Sequence, residues 1–317
     1  MRTLPASETA LGTSVRVGID IGGTGTRFVI FDEGSLTVLD RRAVQTPAVF
    51  VEETPASFLA GHIRSLTGTR SITSIGIGAS GPVDASGIIQ NPDTLGSFTG
   101  APIVSDLGNA FGVAVHIDND AVCAAIAEQR IGAAVNASSL LHITLGTGIG
   151  ACLLVNGSPV RGGDGFHPEM GHISVRTPDT SCYCGRETCW EQAASRQALQ
   201  RTAARILRKD PSQHGLIAEL ARRAEANDTV AQEVFDEYGV AVAEGLGTLL
   251  AVHRPEHVVL GGSASEHFGL FSRSLTQSLA ALGPWIHYRT LASTTLDDFG
   301  GAIGAAFLKP NSTATQH

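Results

Sequence analysis

Residues 167–191 read HPEMGHISVRTPDTSCYCGRETCWE, and three of the chain's five cysteines fall inside them. With one imidazole they form the pattern His172-x9-Cys182-x-Cys184-x4-Cys189. Four nitrogen and sulfur ligands make a closed tetrahedral site, the arrangement that suits a structural Zn²⁺. Gly185, directly after Cys184, eases a tight turn between ligands. A disulfide is less expected in a reducing compartment, and it leaves an odd thiol. The other two cysteines, Cys123 and Cys152, stand in apolar surroundings and read as buried core thiols.

Three glycine turns suggest a second chemistry. Each follows an apolar strand: Asp20-Ile21-Gly22-Gly23-Thr24-Gly25-Thr26, Leu145-Gly146-Thr147-Gly148-Ile149-Gly150, and Leu260-Gly261-Gly262-Ser263. Glycine lets backbone N–H groups approach an anion with no Cβ in the way, and threonine hydroxyls add donors. One such turn is an ordinary hairpin. Three of them, with an acid heading the first, point to a phosphate-bearing ligand. Asp20 at its strand end is placed to orient Mg²⁺ through water, because hard cations prefer oxygen. The chain has no G-x-x-x-x-G-K-[ST] pattern, which excludes a P-loop enzyme. The order of turns instead resembles the superfamily of sugar kinases, heat-shock ATPases and actin. That resemblance implies two duplicated lobes clamping a nucleotide.

A third candidate is the run Asp118-Asn119-Asp120, between the strand VAVHID and a helix. Asp and Asn are favoured helix N-caps. Asp120 is also a candidate general base, since phosphoryl transfer needs an aligned hydroxyl, a proton acceptor and charge stabilisation. The two roles coexist if the backbone caps the helix while the carboxylate faces substrate across an inter-lobe cleft. Asn119 is then placed to hold a neighbouring sugar hydroxyl.

The elements that must position these groups follow from hydrophobic pattern. VRVGID, FVIFDEG and LTVLDRRAVQT predict three strands in succession, unlike a dinucleotide-binding unit, in which a helix follows the first glycines. VEETPASFLAGHIRSLT predicts a helix, SITSIGIGAS a strand running into a glycine-proline turn, and AVCAAIAEQRIGAA a helix. SLLHITLGTGIGACLLVNGSPV repeats the strand–glycine turn–strand unit of residues 15–31, an internal echo that suggests two related halves. Residues 192–250 read as mostly helical, HVVLGGS as a last strand, and GGAIGAAFL as a short helix of small residues. The expected fold is α/β, two-lobed and actin-like, with a ribonuclease H-like core in each lobe. The first lobe is expected over 1–118, with a terminal helix at about 299–317 packing back on it. The second is expected over 119–298 and carries the cysteine loop.

Composition bounds the function. With 43% hydrophobic and 16% charged residues, the chain is globular rather than disordered. A formal net charge of −8 argues against non-specific binding to nucleic acid or an anionic membrane. No apolar run reaches the ~18 residues of a membrane-spanning helix, and the first residues lack a signal-peptide pattern. A cytoplasmic protein is expected.

Glu169-Met170-Gly171-His172 followed by Cys-x-Cys-Gly-x3-Cys-x-Glu is similar to the signature of the ROK family (repressors, open reading frames, kinases). DIGGT, LGTGIG, IDNDA and VVLGGS agree with it in order, over roughly residues 15–308. The resemblance implies an ATP-dependent kinase that phosphorylates a hexose, glucose first, with Mg²⁺ and structural Zn²⁺ as cofactors. It implies Asp120 as catalytic base and Asn91, Asn119, Glu169, His172 and Glu191 as sugar ligands. The metal-bound His172 would offer its second ring nitrogen to a sugar hydroxyl. ATP would lie on Asp20, Gly22, Gly23, Thr24, Gly25, Thr26, Gly146, Thr147, Gly148, Gly261 and Gly262. The small-molecule partners are a sugar and a nucleotide, and a homodimer is implied. Fructokinase, mannokinase and N-acetylhexosamine kinase remain alternatives, as does polyphosphate as donor. A sugar-responsive repressor would carry a DNA-binding domain before the first strand, where only 14 residues stand. A catalytically silent sensor is opposed by the intact Asp120 and phosphate turns. Departures from the family pattern are Thr188 where glycine is common, His167-Pro168 before the glutamate, and Gly25-Thr26 where lysine often follows GGT. His167 reads as structural.

Overall fold

The computed structural model describes residues 14–35, 37–84, 86–176 and 180–309. In chain order the elements are β1 (Ser14–Ile21), β2 (Gly25–Asp32), β3 (Val38–Gln45), α1 (Pro55–Thr67), β4 (Ser71–Ala79), α2 (Pro92–Leu95) and α3 (Ile103–Phe111). Then come β5 (Ala114–Asn119), α4 (Asp120–Ile131), β6 (Ser139–Leu145), β7 (Ile149–Val155), β8 (Ser158–Pro159), α5 (Trp190–Ala194) and α6 (Arg196–Leu207). The last are α7 (Leu216–Glu225), α8 (Thr229–His253), β9 (His257–Gly261), α9 (Phe268–Ala281), β10 (Thr290–Ser293) and α10 (Gly300–Ala305). Two compact units result: one from the chain up to Cys123 together with that from Asp298, the other Ala124–Asp297. The change of unit falls inside α4.

In the first unit the sheet order is β3-β2-β1-β4-β5. β1 pairs antiparallel with β2, and β2 with β3, while β1–β4 and β4–β5 are parallel. Val15, Val17, Ile19 and Ile21 of β1, alternate residues on one face, are buried, while Gly18 on the other face meets the α10 backbone. β3 is the exposed edge and carries Asp40, Arg41 and Arg42, charges that discourage pairing with another chain. α1 begins at Pro55, later than the sequence pattern suggests. Thr54 caps it, accepting from the Ser57 backbone while Ser57 bonds back, and proline suits the first helical position.

α10 lies directly on this sheet, and two glycines permit it. A Cβ on Gly18 of β1 would fall 1.9 Å from the Ala302 carbonyl oxygen, and one on Gly76 of β4 1.8 Å from that of Ala305. The helix is shorter than the expected 299–317: it ends at Ala305, with Ala306 and Phe307 closing the turn onto it. Residues 310–317 lie outside the described residues.

The second unit repeats the topology. Its sheet order is β10-β9-β6-β7-β8, with β6–β7 and β7–β8 antiparallel and β6–β9 and β9–β10 parallel. Strand for strand this matches the first sheet, so the internal echo is a duplicated ribonuclease H-like core. Its helices bury one continuous cluster that includes Leu141, Ile143, Trp190, Phe235, Leu246 and Phe271. α8, 25 residues long, is capped by Asp228, which accepts from the Ala231 backbone. No helix among the described residues is long and apolar enough to cross a membrane.

Candidate active site

In the first unit the predicted acid stands where strand becomes helix. Asp120 is the first residue of α4, directly after β5. Its Oδ1 accepts from the Ala121 amide at 2.8 Å, and its Oδ2 from the Ser80 hydroxyl at 2.8 Å. Asn119 Oδ1 also accepts from Ala121, at 2.8 Å, so Asn119 does the capping that sequence alone divides between neighbours. Asn119 Nδ2 donates to the Gly81 carbonyl at 3.2 Å. Asn91 caps α2 through the Thr94 amide and donates its Nδ2 to the Ser80 carbonyl at 2.9 Å. Asn91, Asn119 and Asp120, spread over 30 positions of sequence, are thus tied together by one turn, Ser80-Gly81.

Asp20, at the end of β1, belongs to the same unit. Its carboxyl is pushed up to about 7 by burial first and then by the negative charge of Asp120; Arg27 opposes the shift. Arg27 is opposite Asp20 in the β1–β2 ladder and pairs with Asp298 at 3.4 Å. Two carboxylates that resist ionising together make a natural seat for a divalent cation. The first glycine turn is closed by Gly22 N–H on the Gly25 carbonyl at 3.0 Å, leaving Gly23 and Thr24 exposed. Thr26 departs from expectation. It is fully buried, and its hydroxyl bonds that of Thr46 at 2.9 Å, which in turn donates to the Gly22 carbonyl at 2.7 Å. Thr26 therefore braces the turn from beneath and has no hydroxyl to offer a phosphate.

In the second unit, Gly146-Thr147-Gly148 links β6 to β7, with Thr147 exposed, while Gly261 ends β9 and is followed by Gly262. Gly148 is glycine for a local reason. A Cβ there would lie 2.5 Å from Oε2 of Glu191, so the turn and the carboxylate share one place. Glu191 sits in the first turn of α5 and is buried. Its Oε1 is 3.0 Å from Cys182 Sγ and 3.7 Å from His172 Nδ1. Glu169 is half exposed, with His167 Nε2 at 3.4 Å, so the buried His167 supports Glu169 from behind.

The four proposed metal ligands converge. One ligand atom from each of His172, Cys182, Cys184 and Cys189 lies within 4.8 Å of all the others. Cys184 and Cys189 sulfurs are 3.4 Å apart, and Cys182 Sγ is 3.6 Å from His172 Nδ1. A tetrahedral Zn²⁺ with Zn–S bonds of about 2.3 Å spaces its sulfurs about 3.8 Å apart, so the donor set fits the ion in type, number and spacing. Burial, then the Cys184 and Cys182 thiols, push Cys189 up to about 12, so a metal binding here releases thiol protons. The loop is pinned on both sides. Cys182 N–H bonds the Arg186 carbonyl at 2.8 Å around Gly185, whose φ is +86°. A bridge pairs Ser174 with Cys189, and Trp190 donates its indole N–H to the Ala241 carbonyl at 3.0 Å. Thr188, the departure from the family pattern, bonds Ser174 at 3.1 Å and leaves the ligands in place.

A model described as the ROK family matches residues 16–312. The chain belongs to the ROK family. The glucokinase of Streptomyces coelicolor is 27% identical over 313 residues, covering 92% of this chain and 96% of that protein. A ROK hexokinase from Thermus thermophilus has a crystal structure with 30% identity and a TM-score of 0.74, covering 92% of this chain and 96% of that one. A ROK family glucokinase from Streptomyces griseus, solved in complex with glucose and AMPPNP, is 28% identical with a TM-score of 0.76, covering 92% and 98%. The two matching sheets of this ROK chain are the paired cores of the actin-like ATPase fold.

Sequence reasoning missed three residues that bond the predicted ones, two in the first unit and one in the second. Ser80 and Gly81, which join Asn91, Asn119 and Asp120, were visible only as a glycine-proline turn after β4. Tyr183, between two cysteines, places its hydroxyl 3.0 Å from His172 Nε2. Its side chain type alone gives no sign of that contact.

Proposed function

We propose that this protein is an ATP-dependent hexose kinase that converts glucose to glucose 6-phosphate. The observation that carries the reading is Asp120, an acid held at a strand-to-helix junction by Ser80 and Ala121 with its own helix already capped by Asn119. A carboxylate fixed in direction by hydrogen bonds it accepts is a suitable base. Asp120 takes the proton of the sugar 6-hydroxyl. That oxygen bonds to the γ-phosphorus as the bond to the β-phosphate oxygen breaks, and ADP leaves. Backbone N–H groups of Gly23–Gly25, Thr147–Gly148 and Gly261–Gly262 bind phosphate oxygens and absorb developing charge, while those of Gly22 and Gly146 close their own turns on the Gly25 and Gly148 carbonyls. Asp20 orients Mg²⁺ through water; when bound, that ion supplies positive charge to the phosphates. Asn91, Asn119, Glu169, His172 and Glu191 hold sugar hydroxyls.

Zn²⁺ on His172, Cys182, Cys184 and Cys189 would supply structural cross-linking. Bound there, it would fix His172 and the start of α5, which carries Glu191, for contact with the sugar. Three thiols kept reduced for a metal suit the cytoplasm. An open groove lined by Val175, Gly247, Ala251, Leu282, Trp285 and Ile286, with Trp285 74% exposed, supports pairing of two copies through the second unit. Light scattering measures that state.

The test is a panel of glucose, fructose, mannose, N-acetylglucosamine and N-acetylmannosamine with ATP or polyphosphate, read as product formation. Glucose with ATP should give the highest kcat/KM. Asp120→Asn should lower kcat by about 10²-fold or more while the glucose Kd stays within a few-fold. Turnover near the wild-type rate removes Asp120 from the base role, and a protein inert toward every sugar sinks the kinase reading.

A further inference from the structure

We infer that Tyr183 gates the sugar site: its phenolic oxygen holds the hydrogen-bonding position on His172 Nε2 that a sugar hydroxyl must take. The inference rests on the hexose kinase reading above and adds a residue that selects what enters.

The geometry is specific. Tyr183 stands between the ligands Cys182 and Cys184 and is 78% exposed, so burial gives its ring little reason to adopt one direction. It nevertheless meets the His172 ring edge-on, with centroids 5.2 Å apart at 82°. Its hydroxyl lies 3.0 Å from Nε2. The other ring nitrogen, Nδ1, faces Cys182 Sγ at 3.6 Å and Glu191 Oε1 at 3.7 Å. A nitrogen that binds a metal carries no proton, so with a metal on Nδ1 the ring N–H would stand on Nε2 and be donated from there. In that tautomer the tyrosine oxygen accepts the bond and keeps its own proton to give. A sugar hydroxyl has the same equipment, one donor and two acceptor lone pairs. Tyr183 is therefore an internal copy of the hydroxyl that His172 would bind.

Two roles fit such a contact, and they predict opposite signs. If Tyr183 only orients the His172 ring, removing its hydroxyl loosens the ring and weakens sugar binding. If it competes for Nε2, each binding event must break the contact, and apparent affinity falls by the fraction of molecules in which the phenol has moved away. The contact favours competition. The ring is already oriented from the Nδ1 side by Cys182 and Glu191, and the hydroxyl sits on the nitrogen left for substrate.

The experiment is Tyr183→Phe, which deletes the hydroxyl and keeps the ring. Glucose and each of its monodeoxy analogues are titrated calorimetrically against wild type and variant, and zinc content is measured in both. The variant is expected to bind glucose about 3- to 10-fold more tightly, the worth of one neutral hydrogen bond. One monodeoxy analogue, lacking the hydroxyl that reaches His172, is expected to show no gain. An unchanged or weaker glucose Kd overturns the gate, as does an equal gain across all analogues. Loss of zinc in the variant overturns it too, making Tyr183 part of the metal site's support. If the wild-type protein binds no hexose at all, the kinase reading falls and the gate with it, an outcome distinct from hexose binding that the substitution leaves unaltered.

Discussion

Asp20→Asn should make the protein more stable while making it inactive, and the pH dependence of that gain is set by the structure. The Asp20 carboxyl titrates near 7 in the fold against a reference of 3.8, because burial and Asp120 oppose its charge. Below about pH 4 both folded and unfolded chains hold the proton, and nothing is lost. Between about pH 4 and 7 the unfolded chain releases its proton while the folded one keeps it, so stability falls as pH rises. Above about pH 7 the loss is complete. A shift of about three units at about 1.4 kcal/mol each sets a ceiling near 4 kcal/mol. Asp20 keeps part of its surface open to water, so screening trims this to about 2–3 kcal/mol. Asparagine preserves the shape and carries no charge. Urea unfolding of both proteins in magnesium-free buffer should show a gap that widens by about 2 kcal/mol between pH 5 and pH 8. Added Mg²⁺ at pH 8 should raise the wild type and leave the variant unmoved. Parallel stability curves for the two proteins across that range would refute the reasoning, since no other feature of the substitution has this pH signature.

The metal cluster predicts that purified protein carries one zinc per chain. Cys189→Ser should remove it, lower Tm and weaken glucose binding by about tenfold or more, because the loop bearing His172 and Glu191 loses its cross-link; full zinc occupancy in that variant would remove Cys189 from the ligand set. Gly76→Val should destabilise the first unit by about 3 kcal/mol or more, since its Cβ would meet the α10 backbone rather than a flexible side chain. Gly61→Ala, in α1 with open space around it, should instead stabilise by up to about 1 kcal/mol. Thermal melts of the pair check both signs, and equal shifts in the same direction would contradict the packing argument.

Much of this protein is legible along the chain because its signals are local. The strand pairs around glycine turns, the Asp-Asn-Asp run at a strand end and the His-Cys-Cys-Cys spacing all place chemistry within a few residues of the feature that marks it. The strands β1, β2, β4, β5, β6, β7 and β9 fall where alternating or continuous apolar runs predict them. α3, α9 and β10 are not among the expected elements: α3 and α9 do carry apolar residues at helical spacing, Ile103 and Leu107 in one and Phe271, Leu275 and Leu279 in the other, whereas β10, four residues long, exists through its ladder to β9. The expected start of α1 was early because apolar residues precede Thr54, while the cap and proline decide where the first turn closes.

Residue type and spacing alone determined which side chains could ligate a metal, accept a proton or line a phosphate turn, and the duplicated order of strands that carries them. Only the tertiary structure decided which of those groups are free to act. It buried Thr26 against Thr46, set both Asn119 and Asp120 on the Ala121 amide with Ser80 on the second Asp120 oxygen, pressed Glu191 into the space left by Gly148, and set the Tyr183 hydroxyl on His172. The physical reason is that a hydrogen-bonding group's availability depends on partners brought together from distant parts of the chain, and a linear pattern records a side chain's capacity to bond without recording what already occupies it.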